Sequence, residues 1–362
     1  VHPELLPTSM AEARALGELI TACGRLRFGD ELAQNAEHAL RLAQATPTGL
    51  LVSAAARGVV QLFYNDRVPA ARAALARLRE LRERLADEPA ARARVFGAES
   101  VEALFDHDSA RQLRLVQAAR SAFLEAGDLR EACLYELTIG HAFIELGRFA
   151  SAVDVLREAR RVGRRLGARL LGTLATVNLG LSLARSGAPL SAREAAELER
   201  EALSLLESGG DARARCAAHC YLAEAELAAG NVEAAAQEAR TALALTEHVP
   251  TFTSLATAVA VECALRAARV DEASRLLEGR VPATEGAGEE GMVRLLVAAL
   301  EVALARGDQA GADTVADRAA RLVTTRAAAI TDEELRRSYS HDVRENRRAL
   351  EYQRARAARS RG

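Results

Sequence analysis

The stretch Gly140-His141-Ala142-Phe143-Ile144-Glu145-Leu146-Gly147-Arg148-Phe149-Ala150-Ser151-Ala152, followed by Leu156 and Ala159, decides the fold. Apolar residues return every three or four positions, the period of an amphipathic helix. Gly140 is small enough for a second helix to approach, and Phe143 fills the space beside it. Gly147 ends the first helix where the chain must turn at little steric cost. Phe149 plugs the turn, and Ala152 and Ala159 permit close contact by the returning helix. The stretch therefore predicts an antiparallel helical hairpin.

The same turn recurs along the chain. Gly187 follows Leu179, Gly180 and Leu183; Gly230 precedes Asn231, Val232 and Ala235; Gly307 precedes Asp308 and Ala312. Ala268, Arg269, Val270 and Ala273 repeat the pattern with the glycine lost, and Asp66, Val68 and Ala71 match it upstream. Near His107 and Gly24 the signal is faint. A spacing of about 40 residues is the mark of stacked helical hairpins. Ala, Leu, Arg and Glu dominate the remainder, and no alternating stretch is long enough for a strand. The expected fold class is all-α: a right-handed superhelical solenoid of about eight hairpins over residues 1–330, with the Gly-, Pro- and Glu-rich loop 281–291 as the place for a bend. Residues 331–362 read as a capping helix and a basic tail. Thr331-Asp332-Glu333-Glu334 matches a capping box with Thr331 as N-cap, and Arg354–Arg361 reads as solvated.

Composition narrows the function. The 362 residues are 49% hydrophobic, enough for a sizeable core, and the net charge of −2 argues against nucleic acid held by bulk positive charge. The chain contains no lysine. A phosphate-binding loop of the Walker type, a kinase ATP site and a Schiff-base site all need one, so none of these is complete here. The uncharged stretch Leu170–Ala184, unsurpassed in length along the chain, is shorter than the ~20 apolar residues that span a bilayer. Cys23, Cys133, Cys216, Cys220 and Cys263, odd in number and set in apolar helical contexts, read as reduced thiols of a cytoplasmic protein.

Motifs of chemistry are few. Gly286-Ala287-Gly288-Glu289-Glu290-Gly291 fits the dinucleotide fingerprint in letters only: no strand precedes it, and two glutamates would face the pyrophosphate. Cys216, His219 and Cys220 share a helical face, yet zinc needs further ligands and none stands near in sequence; small-residue packing is the better reading. The seven histidines are scattered, and no nucleophile motif accompanies them. Neither a metal, a cofactor nor a catalytic residue is expected.

The unit around Gly140, Phe143, Gly147, Ala152 and Ala159 resembles a tetratricopeptide repeat of the longer bacterial kind. The segment Glu290–Ala349 is similar to the end of the bacterial signal-transduction ATPases that carry C-terminal tetratricopeptide sensor regions, often fused to a Ser/Thr kinase. That similarity runs through Arg294-Leu-Leu, Leu304-Ala-Arg-Gly307-Asp, Arg321-Leu-Val, Asp332-Glu-Glu-Leu-Arg336-Arg-Ser-Tyr and Val343-Arg-Glu-Asn-Arg347. The resemblance implies a non-catalytic sensor or docking module, with the ATPase or kinase as an attached or partner domain outside this chain. It also implies that the first helix of each hairpin lines a concave face. Six residues before each turn, His141, Leu181, Glu224, Glu262 and Glu301 then form a column, flanked by Glu145, Asn178, Arg185, Tyr221, Arg266 and Arg294. Three successive carboxylates predict an acidic groove for a basic peptide or protein segment, with Tyr221 as a stacking surface. The alternative is that these carboxylates pair with arginines of the same or adjacent helices. A purely structural scaffold and a receptor for a small effector are the rival functions. Asn178 alone hardly matches the basic-and-Asn grip of chaperone-docking repeats, which argues against that partner class.

Overall fold

Each hairpin turns on a residue with positive φ. These residues are Arg27, Asp66, His107, Gly147, Gly187, Gly230, Ala268 and Gly307, spaced 38 to 43 residues apart. In seven of the eight turns the same hydrogen bond closes the helix end, from the amide after the turn residue to a carbonyl five residues back. It runs from Phe28 to Cys23, Arg67 to Leu62, Asp108 to Ala103, Arg148 to Phe143, Asn231 to Glu226, Arg269 to Ala264 and Asp308 to Ala303, at 2.8–3.0 Å. This is the Schellman arrangement, which satisfies carbonyls the helix would otherwise leave open. Gly24, where the sequence hinted at a turn, lies inside the first helix; the turn residue is Arg27.

The computed structural model describes residues 10–82, 85, 87–187, 189–206, 212–283 and 289–359. Eight helix pairs follow one another: α1 (Met10–Arg25) and α2 (Gly29–Ala45), α3 (Gly49–Tyr64) and α4 (Val68–Arg82), α5 (Pro89–Phe105) and α6 (Ser109–Glu125), α7 (Leu129–Glu145) and α8 (Phe149–Arg165). Then come α9 (Arg169–Arg185) and α10 (Pro189–Leu206), α11 (Ala212–Ala229) and α12 (Val232–Leu245), α13 (Thr253–Arg266) and α14 (Val270–Leu277), α15 (Met292–Ala305) and α16 (Gln309–Ala329). Two more helices end the chain, α17 (Glu333–His341) and α18 (Arg344–Arg359). No strand occurs among the described residues, and the fold is an all-α, tetratricopeptide-like hairpin repeat. No described helix is long and apolar enough to cross a membrane.

The chain divides into two compact units, Val1–Thr138 and Ile139–Gly362. In the first, α1, α3 and α5 pack side by side, each flanked by its returning helix. In the second, α9, α11, α13 and α15 do so, and α10, α12 and α14 each pack between two of these first helices. The hairpins on either side of loop 281–291 belong to this one unit; residues 284–288, with Gly286 and Gly288, lie outside the described residues.

Small residues set the helix spacing. A methyl group on Gly140 would come within 2.5 Å of Leu156 Cδ2, and one on Gly58 within 2.8 Å of Ala36 Cβ. Between α8 and α9 a methyl on Gly163 would reach the Gly172 amide nitrogen at 2.9 Å, so two backbones meet there directly. Such contacts leave no room for added volume, and overpacking of this kind costs about 1–3 kcal/mol. Phe63, Phe123 and Phe252 fill the wider gaps and are fully buried.

The C-terminal segment differs from the sequence expectation in two respects. It is two helices rather than one, and the N-cap is Asp332, whose carboxylate accepts from the Leu335 amide at 2.9 Å. Asp competes well with Thr for this role, and its position one residue later puts its oxygen in reach of the N3 amide. The expected basic tail is helical as far as Arg359, because Tyr352 anchors α18 on α16. The Tyr352 hydroxyl donates to Asp313 Oδ1 at 2.8 Å and accepts from Gln309 Nε2 at 2.5 Å. Upstream, α17 meets the turn between α7 and α8. Ser338 Oγ donates to the Leu146 carbonyl at 2.7 Å, and Glu334 pairs with Arg148.

Candidate functional site

In the unit that begins at Ile139, the register six residues before each turn places Glu224, Glu262 and Glu301 near the C-terminal ends of α11, α13 and α15. Each lands on the first-helix layer because the hairpins share one turn geometry. Their carboxylates do not stand free. Arg185 on α9 donates to both oxygens of Glu224, from Nε and Nη2, each at 3.2 Å. Arg294 on α15 pairs with Glu224 and holds Glu262 in a two-pronged contact, Nε–Oε1 2.8 Å and Nη2–Oε2 2.9 Å. Arg344, in the first turn of α18, adds a third cation at 2.7 Å from Glu262 Oε2. At the other end Glu145 lies 3.9 Å from Arg185.

The result is a continuous chain of alternating charge: Glu145, Arg185, Glu224, Arg294, Glu262, Arg344. Glu224 and Arg294 are 8% and 5% exposed, so the centre of the chain is removed from water. Burial opposes the Glu224 charge, but Arg185 and Arg294 outweigh it and hold the carboxyl below its ordinary range. Burial likewise opposes ionisation of Glu262; Arg294 and Arg344 together bring it down to about 2. Arg185 and Arg294 have their charge disfavoured by burial and restored by the carboxylates around them. The expected acidic stripe is thus matched one for one by guanidinium groups, which is the pairing alternative raised by the sequence.

The other candidate positions fall around this chain. Glu301, half-buried, accepts from Arg348 Nε at 2.6 Å, a second link to α18. His141 and Asn178 are half-buried and Arg266 is exposed; none of the three joins the chain of pairs. Tyr221 is 3% exposed, so its ring packs inside and presents no open stacking surface. Burial pushes its hydroxyl well above the usual range. Sequence reasoning did not reach Arg344, Glu345 and Arg348, which lie far from their partners along the chain. Their only local signal is a pair of arginines four residues apart on one helical face.

It also did not reach Glu199. This residue of α10 is fully buried against Gly180, whose added methyl would collide with its carboxyl, and neither oxygen has a hydrogen-bond partner among the described residues. Burial first, and Glu224 second, push its acid well above the usual carboxylate range. In the preceding hairpin the glycine at the same register, Gly140, faces Leu156.

Cys216 and Cys220 are buried and His219 pairs with Glu238 at 2.7 Å; no cluster of metal-ligating side chains occurs among the described residues. Glu289 and Glu290, from the fingerprint-like loop, turn toward Ser254 and Arg213, and Gly291 caps α15 in the left-handed conformation.

No family model and no curated protein sequence matches the chain. Solved structures do. A Rap protein in complex with competence and sporulation factor aligns with a TM-score of 0.68 at 11% identity, covering 95% of this chain and 99% of that one. The likeness is one of fold. NprR in complex with its cognate peptide NprX aligns at 0.61 and 11% identity, covering 92% and 98%. The apo form of RapI aligns at 0.57 and 10%, covering 95% and 98%.

Proposed function

We propose that this chain is a non-catalytic, peptide-receiving repeat module, and that its ligand lies along the first-helix face where α7, α9, α11, α13 and α15 present Glu145, Arg185, Glu224, Arg294, Glu262 and Glu301. The observation that carries the reading is the buried chain of alternating charge. Charges withdrawn from water in a repeat array are costly to assemble, and they hold polar groups in fixed positions along one face. The fold likeness supports it, since two of the similar structures hold competence and sporulation factor or a cognate peptide. The peptide is of basic character: where α18 meets this face, the groups received by Glu262 and Glu301 are arginines. The module serves an ATPase or Ser/Thr kinase output domain, on the resemblance of Glu290–Ala349, and works in a reducing cytoplasm, in keeping with five buried, unbridged cysteines.

The test is an array of short synthetic peptides, balanced among acidic, neutral and basic members, probed with the labelled chain. Basic members are expected to be retained, and Glu301→Gln together with Glu262→Gln should reduce that retention at least tenfold while helicity is preserved. Retention of no peptide class would end the reading. These neutral replacements are preferred to arginine, which would add like charge beside Arg294 and Arg344 and unfold the layer.

A further inference from the structure

Of the four hairpin turns built on glycine, one is covered. At Gly187, Gly230 and Gly307 the space where a side chain would start is open, with nothing within 4 Å. At Gly147 that space is taken by the Ser338 carbonyl oxygen, 2.7 Å away, and by Asp342 Cβ at 3.2 Å. Helix α17 is therefore seated on the turn between α7 and α8, fixed by Ser338 Oγ on the Leu146 carbonyl and by the Glu334–Arg148 pair. From there the chain enters α18, whose first two turns deliver Arg344 to Glu262 and Arg348 to Glu301. Glu345 lies close enough to Arg185 and Arg294 to act on both through space. The C-terminal segment thus touches the proposed ligand face at its two ends and along its charged centre.

We infer that α17 and the start of α18 form an internal occupant of the peptide-binding face, a strap that a ligand must displace, and that the displacing ligand is a helical segment presenting two arginines four residues apart. The inference rests on the reading under Proposed function and adds to it the regulation of the site. Two of the ion pairs that hold the strap are suited to exchange, and a ligand must also release the buried seats of Ser338, Tyr339, Val343 and Asn346. The Arg148–Glu334 and Arg344–Glu262 pairs each include one largely exposed partner, and water and salt screen such pairs so that they hold weakly. The face beneath is the stronger element, because Glu224, Glu262 and Arg294 remain paired with one another whether or not Arg344 is present. An incoming arginine takes the place of Arg344 on Glu262 with no net change in charge.

Gly147→Ala and Gly230→Ala separate the strap from the turn that carries it. Both introduce the same left-handed penalty, but only Gly147→Ala collides with α17. Hydrogen exchange of amides 333–341 in the full chain should speed up at least tenfold in Gly147→Ala and stay unchanged in Gly230→Ala. The probe for the vacated face is a labelled synthetic peptide of residues 343–359, which carries Arg344 and Arg348 but not the Ser338 and Asp342 that meet the added methyl. It should bind Gly147→Ala about tenfold more tightly than the wild type, and a peptide carrying Arg344→Ala and Arg348→Ala should lose that gain. Arg148→Glu should loosen the strap as well, and adding Glu334→Arg should restore it, a control independent of backbone strain. Unchanged exchange in Gly147→Ala, or equal peptide binding by wild type and variant, overturns the strap. If arrayed basic peptides still bind both proteins equally, the peptide-binding reading survives that result; if neither the strap peptide nor any arrayed peptide binds either protein, both readings fall.

Discussion

In the unit that ends at Thr138 the hairpin turns carry Arg27, Asp66 and His107 in the left-handed region, whereas the unit from Ile139 onward carries Gly147, Gly187, Gly230 and Gly307 there, with Ala268 as the exception. The closing hydrogen bonds are the same in both. Glycine therefore makes the turn easier without defining it; the packing of the two helices imposes it, and a side chain tolerates the conformation at about 1–2 kcal/mol. The buried charges differ in the same direction. In the first unit Glu99 and Glu102 of α5 are held by Arg79 and Arg82 of α4 and Arg111 of α6, all partners within 23 residues. In the second the partners along the Glu145–Arg344 chain are 32 to 82 residues apart and cross α9, α11, α13, α15 and α18, while Glu226 is held by Arg200 from 26 residues away. The buried cluster of the first unit is stitched locally; the buried chain of the second is held over longer range.

The sharpest way to break this contrast is to remove one cation from each cluster. Arg294→Met leaves Glu224 and Glu262 short of a shared buried partner and should lower stability by about 3–5 kcal/mol in urea unfolding. Arg79→Met should lower it by about 1 kcal/mol, because Arg82 and Arg111 still hold the two carboxylates and the site is nearer solvent. Equal losses would show that the two clusters are energetically alike. Glu199→Leu, which copies the neighbouring hairpin's Leu156, should stabilise the second unit by about 1–3 kcal/mol by removing a buried acid without a partner. The pH dependence has a worked-out sign. The Glu199 acid is pushed above its ordinary 4.5, so its contribution is complete below 4.5 and is lost as pH rises through the raised folded value. Glu262, held at about 2, contributes stability above 4.5 that is lost as pH falls toward about 2. Unfolding midpoints measured across pH should lose their alkaline decline in Glu199→Leu and their acid decline in Glu262→Gln. The smallest effects test the turns: Ala268→Gly and Arg27→Gly should each raise stability by about 0.5–1 kcal/mol, and Asp66→Gly by less, since Asp enters the left-handed region more readily.

The same contrast explains what could be read in advance. Gly147, Gly187, Gly230 and Gly307 announce the register of the second unit, and from it the positions of Glu224, Glu262 and Glu301 follow. Around His107 and Arg27 the register was faint because no glycine marks a conformation that tertiary packing enforces. The all-helical class was legible from residue choice and period alone. The neutralisation of the carboxylates was not, since Arg294 reaches back over a whole hairpin to Glu224 and Arg344 is 82 residues from Glu262. Tyr221 carried no mark of its burial, and Thr331 and Asp332 are both good caps in sequence, so only the backbone path chooses between them.

Arg294 grips both Glu224 and Glu262, residues of two successive earlier hairpins. A duplicated forty-residue cassette spliced between α11 and α13 would keep every turn's stop signal intact, yet it would carry Glu224 one hairpin farther from Arg294. A true copy of the hairpin would bring its own glutamate at that register and keep Arg294 paired, whereas an inserted hairpin without one would leave the guanidinium short of a carboxylate, so that junction accepts only modules that carry the acid.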